Sequence, residues 1–280
     1  MKLGPPLRYV PLDTTFRMPG PQPALADGRY IEIDEQLAEY QSTKKRLTQR
    51  WPPCRVADAE PDERTVAAWL RDRLDSRLIP ANGAELPTLD HLVSLIQEDV
   101  VVMRKEAAAL PDTATADYLN VAFPSGWCPT CALQKTFVEI HGRVPEDGAF
   151  TYRNRPGRAA FLFKREPTVR FAWTITPDKS LDRRKCHAVP DHGTAPQLSW
   201  RDQVQNVYLR IERQVVAPID KRLSVFLIRV YIYDVADLTA EERTRLRANV
   251  VSMTPEVAAY KGLIDKRGDN REEIVALLME

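Results

Sequence analysis

The sequence lacks a long hydrophobic run, an excess of charge of one sign and a dense set of cysteines. No apolar stretch approaches the ~20 residues that a membrane-spanning helix needs, and the first six residues lack the apolar segment of a signal peptide. Lys and Arg number 40 against 39 Asp and Glu, so the net charge is +1. These absences predict a soluble cytoplasmic protein without an affinity for nucleic acid or membranes.

The four cysteines do not form a disulfide framework for a chain of 280 residues. Cys128 and Cys131 form one CxxC pair, while Cys54 and Cys186 lie far away in the sequence. One CxxC is half of a zinc site, which Cys186 and His187 would have to complete across a long separation. A zinc-binding scaffold is therefore an open alternative. A thioredoxin-like role is disfavoured because the βαβ context is missing.

The common motifs of nucleotide-binding and hydrolytic sites are also missing. We find no GxGxxG before a helix, no P-loop, no HExxH and no GxSxG elbow. The chain itself is therefore not expected to hold a nucleotide cofactor.

The pattern of apolar residues predicts helices before and after an antiparallel sheet. With 44% hydrophobic residues the chain can bury a substantial core. The segment 88–103 is apolar nearly all round, which predicts a buried helix. Since no βαβ alternation and no convincing linker occur, we expect an α+β fold and a single domain over residues 1–280. Helices are predicted at 33–47, 61–78 and 88–103 and after Thr239, Thr254 and Gly268, and strands at 118–123, 169–175, 207–216 and 223–233.

Two arginines fall on the apolar faces of the two long predicted strands. Alternation places Arg213 in line with apolar residues of strand 207–216, and Arg229 likewise in strand 223–233. A guanidinium in such a place needs an anion. Glu98 and Asp99 or carboxylates of a bound ligand are the candidate partners. A structural ion pair and a functional site are both consistent with this pattern.

His141 ends a short predicted helix over residues 134–141, just before a turn. Phe137 and Val138 precede it by four and three residues, so the imidazole shares a helix face with apolar side chains. A histidine in apolar surroundings stays close to neutral and can ligate a metal or a haem iron. A core histidine with satisfied hydrogen bonds is the alternative for this window alone.

A series of short motifs, in order along nearly the whole chain, resembles one family. The series resembles the haem-dependent oxidative N-demethylase alpha-subunit family. Any one piece is weak, but the ordered series is specific. The motifs occupy residues 12–13, 34–40, 45–47, 95–100, 123–127, 135, 140–145, 170–175, 209–214, 226–231 and 260–263.

This resemblance implies a PAS-like curved antiparallel sheet with flanking helices that holds haem b. By the resemblance His141 becomes the candidate axial ligand of the haem iron. Haem also needs an apolar slot and cations for its propionates. The residues expected to supply these are Phe137, Val138 and Trp173 for the slot, and Arg213 and Arg229 for the propionates.

The activity that the resemblance implies is O₂-dependent removal of a methyl group from a small amine, with release of formaldehyde. Glu98, Asp99 and Trp127 are the candidate catalytic residues, because a cationic amine needs a carboxylate or an aromatic face. No flavin or iron–sulfur motif is present, so electrons are expected from a separate NAD(P)H-dependent flavin or iron–sulfur reductase. A non-catalytic haem-based sensor is the second class of function consistent with the same pocket.

Overall fold

The computed structural model describes residues 3–23, 29–79, 86–145, 157–186, 207–265 and 268–279. Within these ranges, seven strands form one sheet in which every neighbouring pair is antiparallel. The strands β1 to β7 are Gln22–Pro23, Cys54–Arg55, Asp99–Arg104, Thr115–Asn120, Thr168–Thr176, Tyr208–Pro218 and Leu223–Asp234. Their order across the sheet is β1-β5-β6-β7-β3-β4-β2. The predicted α+β class, an antiparallel sheet with flanking helices, is confirmed.

Eight α-helices lie in the described part of the chain. The helices α1 to α8 are Leu37–Arg50, Glu60–Arg71, Leu89–Ser94, Pro129–Ala132, Phe137–Ile140, Ala240–Ser252, Pro255–Tyr260 and Arg271–Leu277. Short 3₁₀ turns occupy Ser76–Leu78, Pro111–Thr113, Arg158–Phe163 and Val235–Asp237. A two-stranded ribbon of β8 (Ile264–Asp265) and β9 (Gly268–Asp269) precedes α8. The predicted capping box at Thr239 is confirmed, because its side chain and that of Glu242 cap each other's backbone N–H groups.

The hairpin of β6 and β7 forms the centre of the sheet. Both strands are rich in β-branched and aromatic residues, which favour a pleated and covered surface. Their register runs from Tyr208 opposite Asp234 to Pro218 opposite Ser224. The predicted hairpin and the predicted strand at 169–175 are therefore confirmed.

The prediction of one buried helix over residues 88–103 is wrong. The helix stops at Ser94, and Asp99–Arg104 forms a strand between β7 and β4. Alternating residues of this strand face opposite sides of the sheet, and both Val100 and Val101 are buried. A strand that is covered on both faces has the same continuous apolar pattern as a buried helix.

The two faces of the sheet are covered differently. On one face, helices α2 and α3 pack closely against the sheet through an apolar cluster that includes Val66, Leu70, Leu92, Val100 and Leu227. The opposite face carries alternating residues such as Val101, Phe226 and Ile228, and these border a cavity. The candidate site therefore lies on the face that α2 and α3 leave open.

Candidate functional site

The cavity on this face has a volume of about 1100 Å³. Ligand pockets commonly measure about 300–1,000 Å³, so this one can take a large cofactor together with a small molecule. Strands β3 to β7 form its floor. Helices α4 and α5 and the turn that follows α7 form parts of its wall.

One half of the floor is apolar. Val101 and Met103 of β3, Leu119 of β4, and Phe226 and Ile228 of β7 line it. Val101 lies opposite both Leu119 and Phe226 in the sheet register, so these side chains share one face. The result is a broad apolar surface, which suits a flat hydrophobic ligand.

The other half of the floor carries a row of polar side chains from β5 and β6. Arg170 lies opposite Gln214, and Ala172 lies opposite Glu212 in the register. The Arg170 guanidinium donates through Nε to the Gln214 Oε1 atom, and Gln214 Nε2 donates to Glu212 Oε2 at 2.6 Å. The short Ala172 side chain leaves the space beside Glu212 open. This polar row therefore lies next to the apolar half within one cavity.

His141 lies in the wall above this polar row. Thr136 and Glu139 form a capping box that starts helix α5, and the helix ends with His141 after a single turn. The half-buried imidazole stacks on Phe137 with 4.0 Å between the ring centres. Arg170 approaches it from the floor, with 3.4 Å between a guanidinium nitrogen and Nε2.

The hydrogen bonds of His141 define its protonation. Nδ1 is 2.9 Å from the backbone carbonyl oxygen of Phe137, which can only accept, so Nδ1 carries the ring proton. Nε2 is then the nitrogen with the lone pair. Burial, assisted by the charge of Arg170, lowers the pKa of His141 to about 3, so the ring is neutral at physiological pH. A neutral imidazole whose other nitrogen donates to a carbonyl is the usual form of a metal-ligating histidine.

A positive side chain enters the cavity from the turn after α7. Gly262, with φ +77°, ends that helix: its N–H bonds to Ala259 O, and Leu263 N–H bonds to Ala258 O. This is a Schellman motif, for which glycine is favoured. The turn presents Lys261, whose Nζ donates to Trp173 O at 2.6 Å. Burial lowers the pKa of Lys261 to about 8.

The segment after β5 is fastened to the cavity rim by a disulfide and by backbone hydrogen bonds. Cys128 and Cys186 are bonded, with a Cα–Cα distance of 4.8 Å. Arg183 N–H donates to Pro124 O, and Gly126 N–H donates to Arg183 O. This wall is therefore built from two segments that are distant in sequence.

The disulfide removes the zinc alternative based on Cys128 and Cys131. Cys128 is bonded to Cys186, while Cys54 and Cys131 are free thiols. His187 lies outside the described residues. Among the residues that the structure does describe, no group of three or more His, Cys, Asp or Glu side chains could hold a metal ion.

The prediction of a cytoplasmic location stays untested, and disulfides are uncommon in the cytosol.

Four of the predicted site residues line the cavity together: Trp127, Phe137, His141 and Trp173. The indole of Trp173 packs edge-on against Phe16, with 5.5 Å between the ring centres. Val138 lies half-buried on helix α5 and is not part of the cavity lining in the described structure.

The prediction that Arg213 and Arg229 bind haem propionates does not fit their positions in the structure. Both side chains are buried on the other face of the sheet. Arg213 Nε is 3.0 Å from Glu32 Oε1, and an Arg229 terminal nitrogen is 2.8 Å from Asp34 Oδ2. The predicted need for anions was right. The partners are carboxylates of the segment before α1, rather than Glu98, Asp99 or a ligand.

Glu98 and Asp99 are fully buried next to Lys44, away from the cavity lining of the described structure. Glu98 Oε1 accepts from Glu32 N–H at 2.8 Å. Asp99 accepts from the backbone N–H groups of Ala122 and Phe123. Burial raises the pKa of both carboxyl groups. These contacts hold loops on the sheet, so the catalytic role of Glu98 and Asp99 stays a prediction without geometric support.

Sequence reasoning missed many residues that line the cavity, including the polar residues Arg170, Glu212, Gln214 and Lys261. Arg170, Glu212 and Gln214 lie on the strand faces opposite to the apolar residues from which the strands were predicted. The available signal was the polar face of β6 itself, because a sheet covered on both sides leaves no solvent face for such residues.

Two comparisons bear on this geometry. A family model described as haem-dependent oxidative N-demethylase, alpha subunit-like, matches residues 35–268. A search of the curated proteins finds no significant match. In addition, none of the described helices is long and apolar enough to cross a bilayer.

Proposed function

The chain belongs to the haem-dependent oxidative N-demethylase, alpha subunit-like, family, and we propose that it binds haem b in the cavity and oxidatively demethylates a small amine. The observation that carries the proposal is the neutral His141, whose Nε2 is the nitrogen with the lone pair and which lines a cavity with a broad apolar floor. His141 is the proposed axial ligand, with Phe137 and Trp173 beside the cofactor.

The residues of the cavity fit a porphyrin. A haem buries a flat apolar ring and needs cationic partners for its two propionates. The floor around Val101, Phe226 and Ile228 offers the apolar surface. Iron binding at Nε2 requires the Arg170 guanidinium to give up its contact with that nitrogen. We propose that Arg170 then pairs with a propionate, in the role that the sequence had assigned to Arg213 and Arg229.

Haem, when bound, supplies the activation of O₂ and the one-electron chemistry that amino acids cannot supply. The protein holds the substrate and excludes water. Trp127, half-buried in the cavity lining, offers an aromatic face to a cationic amine. The segment after β5, fastened by the disulfide of Cys128 and Cys186, forms one side of the cavity.

Electrons are proposed to come from a separate NAD(P)H-dependent flavin or iron–sulfur reductase. The description of the family as alpha-subunit-like supports a partner protein. We also propose that the sheet is PAS-like. The five long strands support the PAS-like description, because the first of them, β3, lies beside the last, β7, at the centre of the sheet.

The haem proposal is tested by titrating the purified chain with haem and following the Soret band. His141→Ala is expected to lose tight binding and to regain the spectrum of a ligated haem when imidazole is added. His91→Ala is the matched control, because His91 is an exposed histidine on α3. An unchanged affinity and spectrum in His141→Ala would place the axial ligand elsewhere.

The catalytic proposal is tested by supplying electrons from a chemically reduced flavin in the presence of O₂ and N-methyl amines. Formaldehyde should appear with the haem-loaded protein and not with the His141→Ala variant. Tight haem binding without formaldehyde from any amine would contradict the demethylase and favour a haem-based sensor.

A further inference from the structure

The charges that line the cavity identify the class of amine. Among the residues that the structure describes, seven Lys and Arg residues and two Glu residues contribute to the lining, although the chain as a whole has a net charge of +1. The cations are Lys135, Arg143, Arg170, Arg183, Lys185, Arg210 and Lys261, and the carboxylates are Glu139 and Glu212. From this excess and from the surroundings of Lys261 we infer that the substrate is an N-methyl amine that also carries a carboxylate, bound by Lys261. This inference rests on the proposed function.

Part of the positive charge is neutralised at the rim. Arg183 is 3.0 Å from Asp178, and Lys135 is 4.0 Å from Glu139, which also caps helix α5. The two propionates of a haem would neutralise two further cations. The described part of the lining would still be positive, so a simple ammonium ion meets repulsion there. An amine with its own carboxylate does not, because its net charge is zero.

The surroundings of Lys261 favour an anionic partner. Its Nζ donates to Trp173 O, and the rings of Phe16, Trp173 and Tyr260 lie within 6 Å. In the described structure no carboxylate forms an ion pair within 4.0 Å of Nζ. A half-buried ammonium in aromatic surroundings is poorly hydrated, and its lowered pKa reflects that burial. A ligand carboxylate would stabilise the charge.

Glu212 provides the complementary group for the amine end. It is the lining carboxylate on the cavity floor, whereas Glu139 is exposed at the rim. The carboxylate of Glu212 accepts one hydrogen bond from Gln214 and lies opposite the small Ala172. Lys261 reaches the same region, because its Nζ donates to the carbonyl of Trp173, the neighbour of Ala172. A zwitterion fits this pair with its ammonium toward Glu212 and its carboxylate toward Lys261.

A carboxylate at Lys261 has two possible sources, the substrate and a haem propionate. The test uses ligands of nearly equal shape, N-methylglycine and N-methylglycinamide, which differ in the carboxylate charge, with dimethylamine as a third. Calorimetric titration of the haem-loaded protein should give N-methylglycine an affinity about 10- to 100-fold higher than the amide, the size expected for one charge-assisted hydrogen bond.

Lys261→Gln should remove this preference while leaving amide binding and haem affinity unchanged. Lys261→Arg, which keeps the charge, should retain part of the preference for the acid. Lys45→Gln, on the exposed face of α1, is the matched control and should behave as the parent protein. Equal binding of acid and amide by the parent protein would overturn the inference.

The remaining arm separates the two sources of the carboxylate. Lys261→Gln could instead weaken the binding of haem but not of haem dimethyl ester, and leave the acid-to-amide ratio unchanged. The partner of Lys261 would then be a propionate, and the inference would be wrong while the proposed haem site stands. If the parent protein itself does not bind haem, the proposed function is refuted.

Discussion

The protonation of His141 gives a prediction about stability that needs no cofactor. The pKa of His141 is lowered from 6.5 to about 3 in the folded chain, because burial and Arg170 both disfavour the charged ring. The unfolded chain therefore binds a proton below about pH 6.5 that the folded chain rejects. The stabilisation by the neutral ring is complete above pH 6.5 and is lost progressively as the pH falls from 6.5 toward 3.

Within that window, each pH unit changes the free energy of unfolding by about 1.4 kcal/mol through this group. Between pH 7 and pH 5 the free energy of unfolding should fall by at most about 2 kcal/mol through His141, because a half-buried ring keeps some contact with water. His141→Asn keeps a donor for the Phe137 carbonyl but does not titrate. The variant should therefore lose less stability over this range than the parent protein.

The assay is urea unfolding of the haem-free chain at pH 5, 6 and 7. Other titrating groups contribute equally to parent and variant, so the difference between their slopes isolates His141. His91→Asn, at an exposed position of α3, should follow the parent curve. Parallel curves for the parent protein and His141→Asn would show that the imidazole is not held neutral, and the argument for a metal-ligating histidine would lose its basis.

Three further outcomes test the buried charges, the disulfide and helix α5. Arg229→Met should lower the free energy of unfolding by about 3–5 kcal/mol in a urea titration, because it leaves Asp34 buried without its ion-pair partner. The control Arg245→Met, in an exposed ion pair, should lower it by less than about 1 kcal/mol. Cys186→Ser should lower it by up to about 4 kcal/mol, the loop-entropy value for a separation of 58 residues, while Cys131→Ser should leave the thermal midpoint unchanged. Thr136→Ala should remove about 1 kcal/mol of capping and speed hydrogen exchange in Phe137–Ile140; equal exchange would show that the cap does not hold the helix.

The elements that the sequence predicted well are those whose pattern has one explanation. The β6–β7 hairpin alternates β-branched and aromatic residues across a short turn, and α6 begins with a capping box. The segment 88–103 was ambiguous, since a run of apolar residues fits a buried helix and a strand covered on both faces. The run of Val100, Val101 and Val102 was the local sign of a strand.

The site was harder to predict than the fold because its partners come from distant segments. The pattern of β6 showed that Arg213 needs an anion, yet Glu32 reaches it from a segment that has no regular periodicity. Glu98 and Asp99 were the nearest plausible carboxylates in a buried pattern, and they bind backbone N–H groups instead. Periodicity reports which face a residue occupies. It does not report which remote segment covers that face.

Strand β6 shows how structural and ligand-directed charges can be told apart. On its one face Arg213 is satisfied within the chain, by Glu32 and by two backbone carbonyls. On its other face Glu212 borders an open cavity and accepts one hydrogen bond, from Gln214. Stability alone would favour filling such a space with apolar side chains, because cavities and partly satisfied buried polar groups are destabilising. The polar row of β5 and β6 therefore makes sense as a surface for a ligand, and its stability cost should disappear when that ligand is bound.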